Sequence, residues 1–418
     1  MINIDKKDNI SPIEITLLIT ILYCSVYGII SIYLESLLLR SLKDLILVVL
    51  SLYCLFKIVF IKRSYYFIYG LLVLFAFFML IGTINFLLVD REIYYWIYGM
   101  KITLLPISFL FVGYVFAKEV SIVFKKCLVY LYITLISVWV LQYFVGVDTL
   151  VSWGFVYGIN VKHFIGGLPR LPSIVGSPDT YAVMLALLGF LLEKDPKITS
   201  KRYTKRIIKI TTFVFLVLST IRTAILFWLI AQVVSLIIES KLYLSKIIIR
   251  RISIILIIIP IIIIGALNII STKTSILSSE SLKERIAIWS SNNTRDDRIE
   301  ILVGKGLGKV GAASKRLISI GRDGSNYSVD NQYLAIFEQT GLIGIILFLL
   351  FFIVILTRFI SMINNSNDKE QKLTLLICVS LIAGILMSCL FTNMLEIFPF
   401  NILFWLYLGK NLHLIKNQ

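Results

Sequence analysis

The chain holds 418 residues, 58% of them apolar and 16% charged, with a mean hydropathy of +0.92 and a formal net charge of +17. Soluble domains carry roughly 25% charged residues, so this composition excludes an ordinary soluble domain, excludes disorder more firmly, and reads as an integral membrane protein. In a bilayer protein Lys and Arg first obey topology, so the excess base bears on ligands only after it has been divided by membrane side.

Apolar segments recur at 13–33, 44–61, 66–89, 102–117, 127–145, 178–192, 207–238, 252–270, 341–357, 373–391 and 394–409. The first follows a basic start without a small-residue cleavage pattern and reads as a retained span. The seventh covers 32 residues, about 48 Å as a straight helix against a hydrocarbon core of about 30 Å. It carries Arg222 near its middle and is flanked by base at both ends. The segment is therefore expected to turn between Ser219 and Thr223, giving two short spans and twelve in all. The reading is an all-α polytopic bundle, one integral membrane domain over 1–418.

With a cytoplasmic N-terminus, 23 of the 41 basic residues fall on the cytoplasmic side, against four (Arg40, Lys43, Arg91 and Lys101) assigned to the two short outer loops. This bias places both termini inside. Two long outer loops remain, 146–177 and 271–332. The second holds ten Lys or Arg against seven Asp or Glu and is expected to contain short amphipathic helices. Loops this long without obvious strands are usually functional, and short-loop charge sorting does not govern them.

The five cysteines lie in apolar stretches with no CxxC pair or neighbouring histidine, and read as small buried hydrophobes. The only histidines, His163 and His413, argue against a His-ligated zinc site, and no metal or other cofactor is expected. Interior base scattered over many segments gives no support to nucleic-acid binding.

Arg222, in LSTIRTAILFW, is either an interfacial arginine snorkelling to lipid phosphates or an anion contact facing a cavity, since guanidinium matches phosphate oxygens in a planar, permanently charged fork. Arg170 stands between Pro169 and Pro172, just before a helix expected to begin at Pro178 with Ser177 as its cap. It is either a loop arginine paired with Asp179 or part of an anion pocket at that helix N-terminus. Arg285, with Leu282, Ile286 and Trp289 on one face of a short surface helix, could reach headgroups or simply anchor the segment. VGKGLGKVG at 303–311 is not a Walker A loop, because Val310 stands where Ser or Thr is required. Turn-forming glycines are the default reading, a backbone nest for pyrophosphate the alternative. In SNYSVDNQYLAIFEQTG, either Asp330 or Asn331 can cap the following helix, and Glu338 follows two turns later. A carboxylate here could take the proton from an attacking sugar hydroxyl.

The order STIR (Ser219–Arg222), RIAIW, GKGLGKVG and DNQYLAIFEQTGLIG resembles the O-antigen ligase and polymerase superfamily over roughly residues 170–357. The resemblance implies a membrane glycosyltransferase, GT-C-like in architecture, that joins lipid pyrophosphate-linked oligosaccharides outside the cytoplasmic membrane without a metal. Ligases of the family typically carry HN where this chain has Asp330–Asn331, which favours the repeat-unit polymerases of O-antigen or capsular polysaccharide. Ligase-type transfer to another acceptor is the alternative, and a lipid-linked oligosaccharide flippase a third reading. The resemblance implies that a polyprenyl pyrophosphate is bound by Arg170, Arg222 and Arg285, with Asp330 as general base and Glu338 in reserve. Glycan or loop contacts would come from Asn331, Arg295, Trp289, Tyr327 and His163, with Trp153 and Tyr157 available for stacking. The spacing from Arg295 to Gly306 fits an RX10G motif, a match expected by chance. Membrane lipids, a flippase and a chain-length regulator are the implied partners.

Overall fold

A computed structural model describes residues 11–34, 37–60, 66–88, 92–163, 167–240, 298–312, 314 and 329–413. The elements follow in chain order as α1 (Pro12–Tyr33), α2 (Leu37–Phe60), α3 (Tyr66–Leu88) and α4 (Ile93–Gly99). A π-helical turn (Met100–Leu104) then leads into α5 (Leu105–Val115), followed by α6 (Ala117–Val145), α7 (Val147–Ser152), β1 (Lys162–His163) and β2 (Pro169–Arg170). The remainder is α8 (Pro178–Lys194), α9 (Arg202–Ser219), α10 (Arg222–Ser240), α11 (Arg298–Val303), α12 (Gln332–Asn365), α13 (Lys369–Ser388), a 3-10 turn (Met394–Glu396) and α14 (Phe400–Leu412).

Seven helical stretches among the described residues are long and apolar enough to cross a membrane: Pro12–Tyr33, Tyr66–Leu87, Ile93–Val115, Ala117–Val145, Arg222–Glu239, Gln332–Asn365 and Lys369–Ser388. The chain is an all-α membrane protein. α8 from Thr180 to Glu193 and α14 along its whole length are buried on every face, as expected of helices apolar all round. They form the centre with α5 and α13: α14 packs on α5, α8 on α9 and α10, and α13 on α10 and α12. Around them α2, α3, α6, α9, α10 and α12 turn large apolar side chains outward, among them Leu45, Phe77, Leu141, Ile210, Val233 and Ile346, which is what a lipid-facing wall requires. At the end opposite the long loops, the Tyr407 hydroxyl donates to Asp195 Oδ2 at 3.0 Å and Lys410 Nζ lies 3.7 Å from the same oxygen, fastening the end of α8 to α14.

The 32-residue apolar segment is broken where its length requires. α9 ends at Ser219, Thr220 takes a left-handed φ of 57°, and α10 begins at Arg222. Ser177 caps α8 as expected, its Oγ accepting from the Thr180 N–H at 3.2 Å, with Pro178 in the first turn. All five cysteines are buried and free.

Three expectations are corrected. The fourth segment starts at Ile93 rather than 102, because Ile93–Gly99 is helical and the π turn carries it into α5; Lys43 and Lys101, assigned to outer loops, thus lie inside α2 and the π turn. The last segment is not helical from 394: a 3-10 turn and Pro399 precede α14. The first long loop is not strandless, since Lys162 pairs with Arg170 and His163 with Pro169 in a short antiparallel ladder. The apolar segment 252–270 and most of 271–332, with its expected amphipathic helices, lie outside the described residues.

Candidate functional site

The chain around Arg170, between α7 and α8, is held firmly at one end of the bundle. The Gln142 carboxamide clamps the buried Ser173 backbone from both sides, donating to its carbonyl at 3.1 Å and accepting its N–H at 2.8 Å. Ile29 N–H donates to the Ile174 carbonyl at 3.1 Å, docking the segment on α1. From this base the half-buried Arg170 reaches the helix break: its Nε donates to Thr220 Oγ1 at 2.7 Å and its Nη2 to the Thr220 carbonyl at 3.1 Å. Arg222, two residues on and exposed, is close enough for its charge to act on Arg170. Burial pulls the Arg170 guanidinium below its ordinary range, the Asp179 carboxylate works the other way, and Arg222 adds to the lowering; the group stays charged at neutral pH. Two guanidinium groups thus share the region of the helix break, with the Asp179 carboxylate acting on Arg170 more strongly than Arg222 does, and guanidinium groups are suited to bind phosphate oxygens. His163 sits one rung from Arg170 on the facing strand, exposed, its ring 6.4 Å from that of the exposed Tyr157.

A second cluster forms at the start of α12. Asn331, not Asp330, caps the helix: its Oδ1 accepts from the N–H groups of Tyr333 at 3.0 Å and Leu334 at 3.2 Å. Asp330, half-buried, is therefore not used up by capping. Glu338 is 7% exposed and lies 3.0 Å from Lys305 Nζ, tying the helix to the glycine segment. That segment is a set of tight turns. Five of its N–H groups have protein acceptors: Gly304 donates to Glu300, Lys305 to Glu338, Gly306 to Gln339 and Lys309 to Gly306, while Gly308 donates to the Gln339 side chain at 2.9 Å. Gly308 has φ of +85°, and a Cβ there would lie 2.0 Å from the Tyr95 carbonyl oxygen, so only glycine lets the loop dock on α4. The segment forms tight turns, and the N–H groups of Gly304, Lys305, Gly306, Gly308 and Lys309 are given to protein acceptors.

The third feature is Glu396, in the turn between α13 and α14. Its Oε2 accepts from the Ala312 N–H at 3.0 Å and its Oε1 from Gln332 Nε2 at 3.1 Å. Burial pushes its carboxyl up to about 7, with those two donors pulling the other way. Asn393 donates to the Val329 carbonyl at 2.7 Å, so the turn is stitched to the residues flanking Asp330. Buried polar atoms without a hydrogen-bond partner among the described residues gather in this junction: Asn331 Nδ2, Gln332 Oε1, Asn393 Oδ1 and Ser388 Oγ. Native interiors rarely leave such groups unsatisfied, and their concentration beside a carboxylate is suited to a hydroxyl-rich ligand. A cavity of about 100 Å3 reaches Glu396 and is also lined by Lys43, Asp44, Lys101 and Asn401.

Of the residues singled out in the sequence, Arg170 is bonded to Thr220, two residues before Arg222, and Asp330, Asn331 and Glu338 share the start of α12. The α1 end bridges the two clusters, since Ile29 holds the Arg170 loop while the Tyr27 ring stands 6.3 Å from Phe398 of the Glu396 turn. Arg285, Trp289, Arg295 and Tyr327 lie outside the described residues. Sequence reasoning missed Glu396, although an ionisable residue inside an apolar segment read as a span is by default a functional one. It also missed Gln332 and Asn85, whose carboxamide donates to the carbonyls of Val303 and Gly304; single amides carry no sequence signal. The chain matches no protein-family model and no curated protein.

Proposed function

We propose that this protein is a membrane glycosyltransferase that polymerises polyprenyl pyrophosphate-linked oligosaccharide repeat units into O-antigen or capsular polysaccharide. In this reading it is a GT-C-like bundle of twelve spans in the cytoplasmic membrane, both termini inside, with the loop-bearing end facing outward. The observation that carries the reading is the Arg170–Thr220–Arg222 arrangement: one anchored arginine, and an exposed one two residues past its anchor, at the helix break where a lipid pyrophosphate would present its charge. Departure of pyrophosphate from the sugar is the hard step, and fixed cations stabilise the charge that develops. Asp330, beside a junction rich in unsatisfied amide groups, takes the proton from the attacking hydroxyl, and Glu338 serves to position the glycine segment through Lys305. The test is to supply purified protein with lipid-linked repeat units and resolve the products. A ladder of longer glycans, lost in Arg222→Ala and Asp330→Asn, is expected; a single transfer to a different acceptor would indicate the ligase reaction, and a ladder indifferent to both substitutions would defeat the assigned roles.

A further inference from the structure

A cavity of about 660 Å3 runs between α2, α3 and the α4–α5 helix. Its walls include Leu52, Leu55, Phe75, Met79 and Leu104, and two hydroxyls on it, those of Ser108 and Ser51, satisfy each other at 2.7 Å, so a hydrocarbon meets no unpaired hydroxyl from them. From Asp44 to Leu55 along α2 is about 16 Å of rise, on the order of half the hydrocarbon thickness.

The upper end is polar. Lys101, in the π turn, pairs with Asp44, and Lys43 Nζ lies 3.4 Å from the same carboxylate group. The Lys43 ammonium also sits 4.2 Å from the ring centres of both Tyr27 and Phe398. Two lysine side chains thus meet at Asp44, and the Lys43 ammonium also lies over two aromatic rings, contacts that attract a cation. The π turn inserts one residue into the helix register, and Lys101, Leu104 and Leu105 all line the groove. Asp44, Lys101 and Leu105 line the Glu396 cavity as well. The path therefore runs from an apolar groove through a cationic junction to a carboxylate surrounded by amides, the order of parts in a lipid chain, its phosphate and a sugar.

We propose that this groove is a second lipid-phosphate site, distinct from the Arg170–Arg222 pair, which holds the chain of a single-chain isoprenoid phosphate along α2, its phosphate at Lys101 and Lys43, and its sugar toward Glu396. A polymerase that joins two lipid-linked units needs two such anchors, so the identification of this lipid as the acceptor substrate rests on the function proposed above; the binding site itself does not. A groove along one helix takes one chain, whereas a bilayer phospholipid brings two.

The test uses the full chain in nanodiscs and a diazirine-bearing isoprenoid phosphate, with the labelled peptides mapped by mass spectrometry. Adducts are expected in 37–60 and 93–115, suppressed by unlabelled polyprenyl pyrophosphate, reduced at least tenfold by Lys101→Ala and abolished by Leu52→Trp, which fills the groove. Val49→Trp, exposed on the same helix and outside the groove lining, should label like wild type and controls for folding. Adducts spread evenly over α9 and α10, equal competition by phosphatidylglycerol, or labelling indifferent to both groove variants would overturn the site. Labelling here without any glycan ladder would overturn the polymerase reading alone, and a ladder with adducts elsewhere would overturn the groove alone.

Discussion

Arg170 and Thr220 are 50 residues apart in sequence, yet the guanidinium of one holds both the hydroxyl and the carbonyl of the other, at 2.7 Å and 3.1 Å. Thr220 is the left-handed residue that lets the long apolar segment turn, so the break in the helix and the anchoring of the arginine are one construction. Arg170→Lys keeps the charge but not the fork, and turnover of the lipid-linked donor should fall at least tenfold. Thr220→Gly relaxes the positive φ while removing the hydroxyl. These effects oppose each other in stability, so the thermal midpoint in detergent should move little while turnover drops. A large loss of stability in Thr220→Gly would show that the hydroxyl, not the arginine it positions, is what matters.

Capping and chemistry separate at the start of α12. Because Asn331 accepts both orphan N–H groups, Asn331→Ala should cost about 1 kcal/mol of stability. Asp330→Asn should lower glycan transfer per folded molecule by about 100-fold or more, the range for removal of a general base, whereas Asn331→Ala should leave it near wild type. The pair of measurements, midpoint and initial rate, distinguishes the two roles.

The Lys305–Glu338 pair calls for a double-mutant cycle. Glu338 is nearly buried and Lys305 partly exposed, so removing either partner takes an opposite charge 3.0 Å away from one that stays behind. Loss of one partner of a fully buried pair costs about 3–5 kcal/mol, and the partial exposure of Lys305 should bring it to about half that. Lys305→Met with Glu338→Gln together should recover much of the single-variant loss, read from denaturation in mild detergent. If Glu338 were itself the base, the double variant would regain stability and stay inactive.

The Glu396 carboxyl, raised to about 7 from an ordinary 4.5, gives stability a sign that can be checked. The folded state holds the proton more tightly than the unfolded one between those values, so stability is greatest below pH 4.5 as far as this group is concerned. It declines as pH rises through 7 and is level above. Glu396→Gln cannot ionise, so its midpoint relative to wild type should improve on going from pH 5 to pH 8, by an amount on the order of 3 kcal/mol at most. A difference between variant and wild type that is flat with pH would mean that Glu396 titrates in its usual range.

Much of this architecture was legible in the chain. Hydrocarbon thickness alone required the segment around Arg222 to break near Thr220, because 32 apolar residues cannot cross once as a straight helix. The Ser177 and Pro178 pair marked the start of α8 through local capping chemistry, and buried cysteines followed from their apolar surroundings. Where charge precedes the apolar run the helix starts earlier than hydropathy alone indicates, which is why Lys43 and Lys101 lie in helical segments rather than in loops. Tertiary packing satisfies those charges, with Asp44 and with the rings of Tyr27 and Phe398, and a one-dimensional hydropathy window sees only their cost.

The sequence by itself determined that this is a membrane bundle, where its longest apolar run must turn, and that Arg170, Arg222 and Asp330 stand at loop-to-helix junctions. Only the tertiary structure decided which of these meet. It closed Arg170 onto Thr220, gave the Gly306 and Gly308 N–H groups to Gln339 of α12, gave the cap to Asn331, and brought Glu396 to Gln332 across 64 positions. The physical reason is that spans and turns are set by local transfer free energy and backbone sterics, quantities each segment carries alone. The pairing of cations and carboxylates depends on which helix ends are packed side by side, and hydrogen bonds of about 3 Å between distant segments exist only after that packing is complete.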